Sequence, residues 1–487
     1  MEENRKISTK FKDSSFIKGI STVLGSILIN FFIGEIFSLP TLIIYELSYL
    51  KKNNDAISVD HLTFFYPIEL FVQCFFSFIS GILYKKFGLH LTNLFGFLSI
   101  IIGHYMMYLS SNFYLDIISI LFTGSGIGII YYPSTTNACE WFMEHNGLII
   151  GILETMISFG SVCFCYIGEI IINKKKIQSR YDDNLYDYEI GIKMKDYLLF
   201  LVILAISIYL ISIILMFEKK VNKNNSEESE SLSSSIELED KSQLSVNKEP
   251  KKENQIELIN NTEKNENNFN KNDYKKMLIV SGKSKRLTLF CIISILQFPV
   301  PAMIFSLYRG IGECKKIDMK YLQIIGSVNF IFEGLSALVF GILCDYVNLK
   351  YLLLFINIVD TLIAFIYYYT FNNGFLFAFV TSFISFSYGG IFPFKDCYLM
   401  KVFGTFIYIE LSSYISFMKT FFVTLLTPFA YYINVKTEEK DSAYWLLFIT
   451  LGIMSLIGTI LGLFLNDSPF NYKEKIEKRK KYEEENI

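Results

Sequence analysis

Strong charge of either sign is missing from this chain. It carries 45 Lys and Arg against 47 Asp and Glu, a net charge of −2 over 487 residues. The basic residues form no domain-sized patch, so nothing in the charge balance points to nucleic acid. A phosphate-binding P-loop is also missing, which argues against ATP-driven work. No nucleophile stands at a workable spacing from a base, so an enzyme is not expected. The eight cysteines, at 74, 139, 163, 165, 291, 314, 344 and 397, lack metal-ligand spacing. Cys163 and Cys165 are too close in sequence for an ordinary bridge, and all eight read as small hydrophobes. No metal or other cofactor is expected.

What the chain has is apolar length. It is 52% hydrophobic and 17% aromatic, with 47 Phe and 32 Tyr. These residues arrive in runs of about twenty, the length that crosses a bilayer as a helix. The expected fold class is therefore an all-α polytopic membrane protein with twelve transmembrane helices in two six-helix bundles. Spans are expected near 20–46, 62–84, 91–110, 114–136, 147–172 and 197–217. Six more follow near 287–308, 321–344, 350–371, 375–394, 405–434 and 443–466. The organisation is then a tail at 1–19, a bundle at 20–217, a linker at 218–286, a second bundle at 287–466 and a tail at 467–487. The linker reads SEESESLSSS and KNENNFNKND. That composition cannot bury a core, so disorder is expected there. Lys and Arg gather in both tails, the linker and the loop after the second span, which puts both termini in the cytosol. Lys174, Lys175, Lys176 and Arg180 fall on the other side and run against this rule. The plasma membrane is the first expectation for location and an organelle membrane the second.

Residues 124–151 carry the most specific pattern. Gly124, Gly126 and Gly128 alternate, then come Tyr131 and Pro133, Trp141-Phe142, Gly147-Leu148 and Gly151. In a bilayer, small residues let helix backbones approach closely, and Pro133 is expected to bend its helix. This spacing resembles the fourth and fifth helices of the monocarboxylate transporter and oxalate/formate antiporter branch of the major facilitator superfamily. The family's basic pair in the turn is replaced by His145 and Asn146. A second resemblance is an internal echo: Gly81, Lys85, Lys86 and Gly88 follow the second span, and Gly341 and Asp345 follow the eighth. Both are similar to the superfamily's G-x-x-x-D-R-x-G gating signature. Lys85 replaces the acid in the first copy, so that latch must work differently or not at all.

Charged residues inside spans each need a reason, because burial in a membrane is costly. The resemblance aligns Glu333 with an acid of the eighth helix, and Ala337 with an arginine the family carries. Thr41 stands where monocarboxylate members have a first-helix lysine. Lys419 is placed like the antiporters' eleventh-helix lysine. The expected solute and proton pathway comprises Glu35, Thr41, Glu154, Glu333 and Lys419. In it, Lys419 meets a substrate carboxylate, and Glu333 pairs with Lys419 until substrate displaces it and then takes a proton. Desolvation favours the neutral acid, so such a step is workable near neutral pH. The structural alternative is a plain interhelical ion pair. Glu69 and Asp360 read as structural or near-surface groups, and His104 as a satisfied polar group. The functional expectation is a proton-coupled, monocarboxylate-type carrier working by alternating access. An amino-acid or organic-cation carrier is the alternative, favoured by Glu35 and Glu154. A non-transporting sensor or scaffold on the same frame is the third. The expected partners are a small organic solute, protons and the lipid bilayer; the oligomeric state is not set by the sequence.

Overall fold

The computed structural model describes residues 2–52, 62–175, 177, 185–219, 271–315, 317, 319–436 and 440–472. Its first half comprises α1 (Glu2–Ile33), α2 (Glu35–Lys51), α3 (Leu62–Leu109), α4 (Phe113–Trp141), α5 (Asn146–Ile172), the one-turn α6 (Tyr188–Gly191) and α7 (Met194–Leu215). After α8 (Lys271–Gly282) the second half holds α9 (Lys285–Gln297), α10 (Pro299–Cys314), α11 (Met319–Tyr346) and α12 (Leu349–Ile366). It closes with α13 (Gly374–Phe403), α14 (Tyr408–Lys436) and α15 (Lys440–Gly462).

Eleven segments among the described residues are long and apolar enough to cross a membrane. One of them, Ile68–Leu109, is 42 residues long and contains two crossings. The chain turns inside α3 at Gly88, with φ 77° and ψ 179°. An L side chain rarely adopts that φ, so glycine is needed there. Counting either side of Gly88 separately gives twelve spans. The first span is itself divided, α1 ending at Ile33 and α2 starting at Glu35. The seventh is divided at Phe298, before Pro299. The helix α4 continues through Pro133 to Trp141, and α13 continues through Pro393 to Phe403.

Small residues set the closest helix crossings. A Cβ on Gly124 or Gly128 would meet the backbone carbonyls of Glu69 or Gln73 in the second span. One on Gly126, on the opposite face, would meet the carbonyl of Gly96 in the third. The alternate glycines thus fit one helix between two others, the packing role that small residues have in a bilayer. In the second half, an aromatic and aliphatic core joins Val300, Met303 and Ile304 to Tyr367, Phe377 and Phe448. Large apolar side chains such as Ile203, Leu210 and Ile214 point outward, as lipid-facing positions require.

The two six-span halves, with Met1–Phe217 and Ser284–Pro469, form one compact unit. Residues 218–283 and 470–487 form a second, smaller unit. Residues 220–270, most of the expected disordered linker, lie outside the described residues. The linker's last part differs from that expectation, because α8 covers Lys271–Gly282. Its sequence includes the apolar run Met277-Leu278-Ile279-Val280, which the polar stretch before it lacks.

Candidate functional site

The halves meet through the fifth and eighth spans and through the second and eleventh. Where α5 crosses α11, Gly147 lies against the Gly341 carbonyl, and Gly151 against Ala337 and Gly341. Asp345 closes this contact. Its Oδ1 accepts from the Gly147 amide at 2.9 Å and its Oδ2 from the Leu148 amide at 2.9 Å. These are first-turn amides of α5, whose unpaired N–H groups and dipole favour a carboxylate. On the other flank the first copy of the signature makes a different contact, the first of the two alternatives its lysine left open. Lys85 donates to Glu410 Oε1 at 2.8 Å. Glu410 lies in the first turn of α14, against which Gly81 is also packed. A lysine thus replaces the acid of the signature, and an acid on the facing helix meets it. Lys86 is exposed and lies over the Phe87 ring at 5.0 Å.

Further along the same seam, buried polar side chains converge. Lys395 Nζ lies 3.2 Å from Asp396 Oδ1, and it donates to Tyr132 OH at 3.1 Å and to Ser416 Oγ at 3.0 Å. Ser412 Oγ donates to Asp396 Oδ1 at 2.6 Å. Tyr132 comes from the first half, so this network joins the halves. Its neighbour Tyr131 donates instead to Glu154 Oε1. Sequence reasoning missed Lys395 and Asp396 by ending the tenth span at 394, whereas α13 runs to Phe403. The signal was available: Pro393 follows Gly341 and Asp345 at the separation by which Pro133 follows Gly81 and Lys85, and the fourth span continues well past its proline.

Lys419 is 3% exposed, and its Nζ has no hydrogen-bond partner among the described residues. It lies 4.1 Å from the centroid of the Phe298 ring and 4.6 Å from that of Phe392. Ring faces attract a desolvated ammonium by about 2 kcal/mol, which offsets only part of its burial cost. The expected Glu333–Lys419 ion pair is therefore absent. Glu333 is also buried, and its Oε2 has no partner. Its electrostatic neighbours are Glu154 and Tyr388 rather than Lys419, so the two side chains face different surroundings. Beside Lys419, a cavity of ≈ 30 Å³ is bounded by Gln297, Phe298, Asn357, Ile391 and Lys395. That is the space of about one water.

The remaining pathway candidates lie in the first half. Glu35, the first residue of α2, is 2% exposed and sits 3.0 Å from His104 Nε2. Glu69, expected to be structural or near the surface, is fully buried and accepts from Thr123 Oγ1 at 3.1 Å. The side chain of Thr41 lies outside what is described. No group of three or more metal-ligating side chains occurs among the described residues.

Two helical halves, a seam of small residues, capped helix ends and an enclosed cluster of charges define a membrane transporter rather than an enzyme. The chain belongs to the major facilitator superfamily, whose sequence model matches residues 19–308. No curated protein matches it at a significant level. Among solved structures it is similar to FucP, a major facilitator transporter captured in the outward conformation. The TM-score is 0.60 at 11% identity, covering 92% of this chain and 99% of that one. It is also similar to the proton:xylose symporter XylE, with TM-score 0.57 at 12% identity over 92% of this chain and 95% of that one. A further match is a variant of the E. coli fucose:proton symporter FucP, with TM-score 0.57 at 11% identity over 92% of this chain and 98% of that one. At these identities the likeness concerns the fold.

Proposed function

We propose that this transporter is a secondary carrier of a small organic anion, coupled to protons and working by alternating access. The observation that carries the reading is Lys419: an ammonium buried, among the described residues, without a hydrogen-bond partner or an ion-paired carboxylate, and lying against two ring faces. A solute carboxylate supplies the missing counter-charge, and Lys395, already paired with Asp396, orients it from the neighbouring helix. A monocarboxylate suits one free cation better than a dicarboxylate does. Glu333 and Glu154 stand on the helices that meet across the seam, in position to hold protons as the solute passes. The cavity beside Lys419 is too small for a solute of several heavy atoms, so loading requires the bundles at 20–217 and 287–466 to rock apart. Both termini face the cytosol in this reading, and the plasma membrane is the expected site.

The test is uptake into proteoliposomes of lactate, pyruvate, amino acids, organic cations, fucose and xylose, with and without a pH gradient. Uptake of lactate or pyruvate that is raised by an inward proton gradient and falls at least tenfold in Lys419→Gln is expected. Uptake of a cation or sugar alone, or unchanged anion uptake in Lys419→Gln, would overturn the reading. Within the same series, Glu333→Gln is expected to flatten the pH dependence of uptake.

A further inference from the structure

The first half encloses a second titratable cluster. His104 sits in the third span and is 2% exposed. Its Nδ1 lies 3.0 Å from the Ile100 carbonyl, one turn earlier on the same helix. A carbonyl only accepts, so Nδ1 carries hydrogen. The other ring nitrogen, Nε2, faces Glu35 Oε1 at 3.0 Å. Two arrangements satisfy that contact. Either Nε2–H donates to a carboxylate, or a carboxylic acid donates to the Nε2 lone pair. Both contain one proton on the Nε2–Oε1 line, and both are neutral overall. Removing it leaves two lone pairs facing each other and one net negative charge in a low-dielectric interior, which is unfavourable.

The surroundings sharpen this requirement. Glu35 Oε2 has no partner, and Glu69, from the second span, acts electrostatically on Glu35 with its own Oε2 unpartnered. The fourth span contributes only the hydroxyl of Thr123, and the sixth contributes Tyr197, which also lies within electrostatic reach of Glu35 and of Cys165. Beside the pair, Gly34 lies between α1 and α2, and a Cβ there would overlap the Ile157 carbonyl of the fifth span.

We infer that the Glu35–His104 pair seats a coupled proton in the half opposite the Lys419 anion seat, besides the protons that the carrier reading gives Glu333 and Glu154. The inference rests on the carrier reading above, and extends it by adding a coupling group away from the anion. The balance is simple. One proton enters from the aqueous phase on one side and completes the Glu35–His104 bond, making the pair neutral. After the halves reorient, the same proton leaves to the other side. Nothing is oxidised or reduced, and no group other than the proton is transferred.

The first arm of the test needs no solute. Infrared difference spectra of the purified full-length protein, taken on changing pH, are expected to show a carboxyl band and an imidazole band that titrate together. Glu35→Gln removes both from the joint transition, and His104→Gln leaves a carboxyl band titrating without an imidazole partner. Glu333→Gln keeps the joint transition and serves as a fold-matched control. Persistence of the joint transition in both Glu35→Gln and His104→Gln would overturn the inference. The second arm uses proteoliposomes with lactate. Accumulation driven by a pH gradient is expected to fall at least tenfold further than lactate exchange at equal pH in Glu35→Gln and His104→Gln. An equal fall in both modes assigns the pair to structure or solute binding and overturns the inference. If wild type moves no lactate, the carrier reading fails on its own, and the infrared arm still decides where the proton sits.

Discussion

Gly81 and Gly341, Lys85 and Asp345, and Pro133 and Pro393 stand at one constant separation. Following that register along the chain pairs each position of the first half with one of the second. Glu69 then matches Asn329, and Gln73 matches Glu333, so the buried acid is displaced by one helical turn between halves. A similar hydrogen bond recurs with its donor one position out of that register: Thr123 donates to Glu69, and Ser382 donates to Asn329 Oδ1 at 3.1 Å. Thr135-Thr136 matches Lys395-Asp396. The two hydroxyls bond back to their own helix, to the Tyr131 and Tyr132 carbonyls, whereas the Lys-Asp pair faces the seam. The frame is repeated and the charge is not. Gly81 and Gly341 hold this register, whereas the alternate glycines of the fourth span match Ile384, Phe386 and Tyr388, and Gly389, which meets the Glu333 carbonyl as Gly128 meets that of Gln73, stands one position out.

The largest expected break in this comparison is Asp396→Ala. It leaves Lys395 buried beside an already unpartnered Lys419, and removing one member of a buried pair costs about 3–5 kcal/mol. Its counterpart Thr136→Ala removes a hydroxyl bonded within its own helix and costs about 1 kcal/mol. Thermal unfolding in detergent compares the two, and equal losses would deny the asymmetry. Next comes the shared frame. Gly128→Ala forces a methyl into the Gln73 carbonyl, at about 1–3 kcal/mol. Gly389→Ala, which meets the Glu333 carbonyl, is expected to cost a similar amount, and the same melts check it. The smallest effect concerns the latch. Lys85 and Glu410 have side chains 28% and 13% exposed. Their coupling is therefore expected to be no more than about 1 kcal/mol. The double swap Lys85→Glu with Glu410→Lys is expected to recover most of the stability that either single reversal loses, and a double-mutant cycle measures this.

Much of the frame was legible in the sequence. Span lengths, the alternate glycines and the echo of Gly81 and Gly341 lead to the two-half, twelve-span arrangement because each is a local or periodic signal. The candidate site was legible only in part. Lys419, Glu35, Glu154 and Glu333 stand out as charges in apolar runs, and all four are buried. Their partners do not stand out. The approach of Glu35 to His104, and of Lys85 to Glu410, joins residues distant in sequence and follows from helix rotation, which apolar composition does not encode. The expected Glu333–Lys419 pair had the same weakness: depth in the membrane was readable, and the facing direction was not. Lys395 and Asp396 were lost to a span ended too early, at the proline that the fourth span shows to be no terminus.

Tyr132 comes from one half, yet its hydroxyl accepts from Lys395 of the other. Any swing that parts the halves there strips an acceptor from an ammonium that has little water to turn to. Lys395 then keeps only the partners of its own half, Asp396 and Ser416. The contact between the halves there is thus made by a charge that parting them would leave less well satisfied.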